Sequence, residues 1–200
     1  RERATAGYIY EAEYLNIRPK FVQDGFYGLL DKDVHCYFDY DYSFYLKVGQ
    51  HEDCRGDRDL VKSHPLILGI DWGYSINCLT VNQHVKSLNE YRTLKAFHVL
   101  GDDGKIQDDL FQDFHDYYQY HQATNKDLYL WYDNTGNVNT GVTRKKRAKM
   151  AQDYLRARGW KVHLMTLGGK NPMHDEKFLL WQMILSGKSN KLPTYRMNQG

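Results

Sequence analysis

The chain has 200 residues, of which 42% are hydrophobic, 14% aromatic and 26% charged. That is enough apolar material for one packed domain and too much for general disorder. No run of 18 apolar residues occurs, which excludes a hydrophobic helix long enough to cross a bilayer. The net charge of +2 is unevenly spread: Asp31 to Asp59 holds eight acids and four bases, whereas Thr143 to Lys161 holds eight bases against Asp153 alone. One face of the protein is therefore expected to be strongly positive. The three cysteines, Cys36, Cys54 and Cys78, are odd in number and widely spaced, which argues against a disulfide framework and fits a reducing compartment. His35, Cys36, His51 and Cys54 fall within twenty residues, yet no CxxC or HxxxH pair gives them zinc spacing. Arg1 is not an initiator Met and no leader pattern follows it, so the chain reads as a fragment without a signal peptide.

Residues 1–60 read unevenly. Arg1 to Asn16 suits a short helix, ended near Pro19 because proline disfavours helical geometry in the residue before it. Tyr37 to Tyr45 alternates aromatic and acidic residues, as a half-exposed strand or an extended segment on a core does. Gln50 to Asp59 is polar and reads as a linker, with a boundary near residue 60.

From there the pattern is regular. Leu66 to Ile70 is a short apolar run of the kind found in central buried strands. Ile76 to Val85 and Tyr91 to Leu100 are two further strands joined by a polar turn, an antiparallel meander. Ile106, Leu110, Phe114 and Tyr117 recur at spacings of four, four and three, one face of a helix. Leu128 to Tyr132 is a second buried strand, and Arg144 to Arg158 a basic helix closed by Gly159. Trp160 to Thr166 is another strand, and His174 to Leu185 an apolar helix ended by Gly187. Three antiparallel strands followed by alternating helix and strand define an α/β fold: a ribonuclease H-like mixed sheet with helices on both faces.

Asp71 and Asp133 each close one of the two apolar strands. Parallel neighbouring strands bring their carboxyl ends together, and ligands bind at that edge. Two carboxylates placed there repel unless one is protonated or a cation lies between them. Mg²⁺ or Mn²⁺ takes such hard oxygen ligands and keeps several waters, and two ions together can hydrolyse a phosphodiester. The plainer alternative is that both acids end strands by bonding to the next turn. The basic helix, with Arg144, Lys145, Lys146, Arg147 and Lys149, is either a phosphate-binding face or a solvated one. Asp175 and Glu176 open the last helix, where acids cap favourably. Gly187-Lys188-Ser189 resembles the end of a phosphate-binding loop, but Gln182 stands where that loop needs a glycine.

Leu68-Gly69-Ile70-Asp71-Trp72-Gly73 resembles the first-strand motif of the nuclease domain in the large terminase subunit of tailed bacteriophages. Leu128 to Asp133 is similar to the strand carrying that family's second acid, and Tyr14 to Pro19 resembles the end of its packaging ATPase domain. The resemblance implies that 1–60 leads from an upstream ATPase domain and 61–200 forms a nuclease domain cut short at its C-terminal end. It implies a divalent-metal endonuclease, with two Mg²⁺ or Mn²⁺ ions, acting on concatemeric double-stranded DNA. Asp71 and Asp133 would be two of three metal-binding acids, the third lying at or beyond Gly200, with Asp175 and Glu176 within reach as substitutes. The implied partners are the ATPase domain, the small terminase subunit and the portal, in the cytoplasm of a bacterial host. Other readings are a non-catalytic DNA-docking module, a junction resolvase, and an actin-like ATPase or sugar kinase lobe. The last rests on Gly69-Ile70-Asp71-Trp72-Gly73 and a faint second loop at Asp133-Asn134-Thr135-Gly136.

Overall fold

The structure, a computed structural model, describes residues 27–44, 52–73, 75–101, 106–139, 145–167 and 172–199. The helix expected over Arg1–Asn16, the Tyr14–Pro19 segment, His51 and Arg144 lie outside them.

The elements in chain order are α1 (Lys32–His35), β1 (Cys36–Tyr37), β2 (Leu66–Trp72), β3 (Ile76–Val85), β4 (Glu90–Leu100) and α2 (Gln107–Gln122). They continue with β5 (Asp127–Trp131), α3 (Arg147–Ala157), β6 (Lys161–Met165), α4 (His174–Leu185) and β7 (Thr194–Asn198). One mixed sheet runs in the order β1-β7-β4-β3-β2-β5-β6. β2, β3 and β4 pair antiparallel, while β2–β5, β5–β6, β4–β7 and β1–β7 pair parallel. The meander and the alternating second half are those expected from the sequence.

Alternation along β2 sends Leu66, Leu68, Ile70 and Trp72 to one face, all buried. Leu128 and Leu130 of β5 and Leu79 and Val81 of β3 extend that face. α2 closes it with Leu110, Phe111, Phe114 and Tyr118, all fully buried, and α3 adds Ala148, Ala151 and Leu155. Burying one such leucine or phenylalanine is worth about 1.5–3 kcal/mol, so this layer dominates stability. α4 lies on the opposite face near β7, where Trp181 meets Tyr195 edge-on at 5.1 Å. Helices thus flank both faces, but among the described residues none covers the second face over β5 and β6.

Among the described residues, three turns use left-handed backbone: Asn89 (φ 51°) closes the β3–β4 connection, and Gly159 (φ 91°) and Gly187 (φ 61°) end α3 and α4 as expected.

The aromatic and acidic stretch after residue 36 is not a strand along its described length. Only Cys36–Tyr37 joins the sheet, after which Tyr40 makes a single bridge to Asp57 and residues 42–44 turn helically. Side-chain bonding dictates this: Tyr37 donates to Asp59 at 2.6 Å, and Asp41 accepts from the backbone of Ser43. The polar stretch before residue 60 packs onto the body, with Cys54 in the core and Asp53 and Asp59 buried. His35 is likewise buried, its Nε2 3.1 Å from the Leu185 carbonyl.

Asp57 accepts a hydrogen bond from the Tyr117 hydroxyl at 2.7 Å. Burial pushes its carboxyl up to about 7, against 3.8 ordinarily, although the Tyr117 bond opposes the rise. Burial raises Asp59 in the same sense. The folded state therefore holds protons that the unfolded chain releases, and stability present near pH 4 is lost as pH rises through about 7. Thermal unfolding from pH 5 to 8 is expected to show a falling midpoint for the wild type. Asp57→Asn should flatten part of that slope, and an unchanged slope would refute the assignment.

Candidate active site

The pairing of β2 with β5 places the two predicted acids. Leu66 lies opposite Leu128, Leu68 opposite Leu130 and Gly69 opposite Trp131. Two residues further on, at the carboxyl ends of these adjacent strands, stand Asp71 and Asp133. Because side chains alternate, burying the leucines on one face sends Asp71 to the other. Both carboxylates line one cleft of about 430 Å³, together with Gly69, Cys78, Thr80, Trp131 and Lys177.

Asp71 is exposed and sits across from Cys78 in the β2–β3 ladder. Burial raises the Cys78 thiol, and the Asp71 charge raises it further. Asp133 precedes a 3₁₀ turn, Asn134–Asn137, and its Oδ1 accepts from both the backbone and the hydroxyl of Thr135. The capping reading therefore holds for Asp133, and the cap also fixes its carboxylate at the cleft. Trp72, the residue after Asp71, packs edge-on against Tyr132 at 6.1 Å and donates from Nε1 to Gln107 at 2.7 Å. Gly136 lies against both rings: a Cβ there would sit 2.4 Å from Tyr132 and 2.6 Å from Trp72. The two acid-bearing strand ends are thus locked together by neighbours on the core side.

Lys177 was not anticipated from the sequence. It follows Glu176 in the polar first turn of α4, and it lines the cleft alongside the two carboxylates. Asp175 lies exposed on the first turn of α4, whereas Pro172 and Lys177 are the residues from that region that line the cleft. Glu176 caps the helix, accepting from the Met173 amide at 2.8 Å.

The basic helix is engaged along part of its length. Lys149 and Lys145 both pair with Asp153, at 2.7 and 3.6 Å. Arg158 lies 3.5 Å over the Tyr154 ring and donates to Gln112, and Arg156 donates to the Val162 carbonyl. Three bases, Lys145, Lys146 and Arg147, cluster at the helix start. Lys146 bridges to Asn139, and the Arg147 amide donates to the Val138 carbonyl. In a β5-α3-β6 crossover the helix runs back over the sheet from the carboxyl edge of β5, so its N-terminus begins at the edge where Asp133 lies. The basic start of α3 therefore stands beside the loop that follows Asp133.

Two carboxylates lining one open cleft with Lys177 fit a hydrated divalent ion that keeps waters and accepts phosphate oxygens. Among the described residues, no group of three or more His, Cys, Asp or Glu side chains converges on one point.

No protein-family model matches the chain, and no curated protein matches it. Solved structures do. The large terminase from a thermophilic bacteriophage, in complex with ADP, matches 87% of this chain at 14% identity with a TM-score of 0.50. The P22 large terminase nuclease domain matches 85% of this chain and 70% of its own, at 8% identity and a TM-score of 0.49. The large terminase nuclease from thermophilic phage G20c, with bound magnesium, matches 90% and 76%, at 13% and 0.45. The mixed seven-stranded α/β fold of this chain is similar to that of the matching part of a large terminase. It spans 33% of the length of the ADP-bound terminase chain.

The packing around Gly136 yields a test. Gly136→Ala forces a methyl group against Trp72 and Tyr132 and is expected to cost about 1–3 kcal/mol. A thermal-unfolding midpoint equal to wild type would show that these strand ends are not clamped together.

Proposed function

We propose that this chain is the nuclease portion of a phage DNA-packaging machine, a divalent-metal-dependent endonuclease that cuts concatemeric double-stranded DNA. The observation that carries this reading is the meeting of Asp71, Asp133 and Lys177 in one cleft at the carboxyl ends of parallel strands. The nuclease fold supports it. Asp71 and Asp133 would hold Mg²⁺ or Mn²⁺, which supplies charge neutralisation at the phosphodiester and a nucleophilic water at neutral pH. The Thr135 bonds keep the Asp133 carboxylate in place before substrate arrives. Lys177 offsets the negative charge that a phosphate brings into the cleft. Lys145, Lys146 and Arg147 hold the backbone from the side of α3, with Lys149 and Arg144 of the same basic stretch as further candidates. Contacts of this kind position DNA without reading its sequence, so cutting is nearly sequence-blind.

By the same resemblance the working partners are an ATPase domain of the same chain, a small terminase subunit and a portal, in the bacterial cytoplasm. No described helix is long and apolar enough to cross a membrane. A second reading, a DNA-docking module without catalysis, draws on the absence of a third converging ligand among the described residues. Asp175 stays a candidate third ligand, requiring movement of the start of α4.

Supercoiled-plasmid cleavage in Mn²⁺ separates these readings. Asp71→Asn and Asp133→Asn are each expected to lower the rate more than about a hundredfold while circular dichroism stays unchanged. Cleavage indifferent to Asp71→Asn would sink the nuclease reading. A folded wild type that binds DNA without cutting would favour the docking module.

A further inference from the structure

The face that carries Asp71 and Asp133 continues past the cleft over β5 and β6. Successive rows on it are Gly69, Trp131 and Met165, then Ile67, Tyr129 and His163. Rows on one face lie about 6.6 Å apart along a strand. Of these, Ile67, Tyr129, Trp131 and Met165 line a second groove of about 480 Å³, together with His64, His84 and Lys86. Trp131 lines both this groove and the carboxylate cleft, so the two are adjacent on the same face.

The chemistry of the groove differs from that of the cleft. No carboxylate lines it, while two imidazoles and an ammonium do. Trp131 is 37% exposed. The Tyr129 and His163 rings stack at 4.9 Å and 20°. His163 Nε2 lies 2.7 Å from Asp127, which Lys161 also pairs at 3.0 Å, so the ring pair is held in place by a charged neighbour. An ammonium group and two imidazole hydrogen-bonding groups beside ordered ring surface suit a nucleic acid strand whose bases are unstacked. In a duplex those base faces are covered by their neighbours and have no ring to gain.

We propose that this groove binds an unpaired DNA strand leading away from the phosphate at Asp71 and Asp133, with Trp131 and Tyr129 as base-stacking surfaces and Lys86 on the backbone. The inference rests on the nuclease reading of the cleft and adds a substrate form to it: the site engages DNA whose strands are separated next to the cut.

Fluorescence anisotropy in EDTA, with labelled oligothymidine and a duplex of equal length, tests this without requiring cleavage. Trp131→Ala and Tyr129→Ala are each expected to weaken oligothymidine binding about tenfold and duplex binding less than about twofold. Trp131→Phe, which keeps a ring, should restore most of the loss. Lys86→Ala, on an exposed turn, should weaken oligothymidine binding and leave the thermal-unfolding midpoint unchanged. Unchanged oligothymidine affinity in all three alanine variants would overturn the proposal, as would equal losses for strand and duplex. If Asp71→Asn abolishes cleavage while the groove variants bind normally, the groove fails and the nuclease reading stands. If the groove variants lose strand binding but the wild type never cuts, the nuclease reading fails and the groove stands as a binding site.

Discussion

The site depends on the parallel register between β2 and β5. Leu66 and Leu68 face Leu128 and Leu130, and none of the four has any exposed surface. Because the side-chain period along a strand is two, a slip of one residue would turn these leucines outward and drive Asp71 and Asp133 into the core. Burying four leucines at about 1.5–3 kcal/mol each opposes that slip strongly. Hydrophobic burial on one face thereby fixes the position of two carboxylates on the other. The acids need no direct interaction with each other to be brought together.

The turn after β5 refines what the register sets up. Asp133 bonds to Thr135, and the glycine one residue later admits the close approach of Trp72 and Tyr132. Trp72 is itself tied to the start of α2 through Gln107. A chain of contacts therefore runs from the strand carrying Asp71, through the core-side aromatics, to the loop carrying Asp133. Such a chain makes the cleft a rigid feature on a rigid sheet.

The two sheet faces are used differently. α2 and α3 seal one with an apolar layer, while α4 covers only part of the other, anchored through Trp181 and Leu185. Its outer residues Leu179, Leu180 and Met183 are exposed. The uncovered part holds the carboxylate cleft and the aromatic groove side by side. Lys177 on α4 lines the cleft and Lys86 on the β3–β4 turn lines the groove.

The sequence by itself determined the central elements. Runs such as Leu66–Ile70 and Leu128–Tyr132, and the four-four-three spacing after Ile106, are local signals whose period identifies the element. It also determined that each apolar strand ends on an acid. Tertiary structure alone decided how distant pieces meet. β1 has two residues and pairs with β7 about 160 positions later, a pairing that no local pattern in Tyr37 to Tyr45 encodes. The polar stretch before residue 60 reads as a linker in sequence, yet Asp57 and Asp59 sit against the Tyr117 and Tyr37 hydroxyls, partners distant in the chain. Lys177 reaches the cleft only because α4 packs across the second face. Excess charge in Arg144 to Arg158 was legible, but the sequence left open which bases Asp153, Tyr154 and Gln112 would engage. Periodicity reports which side of an element is buried; only packing reports what lies opposite it.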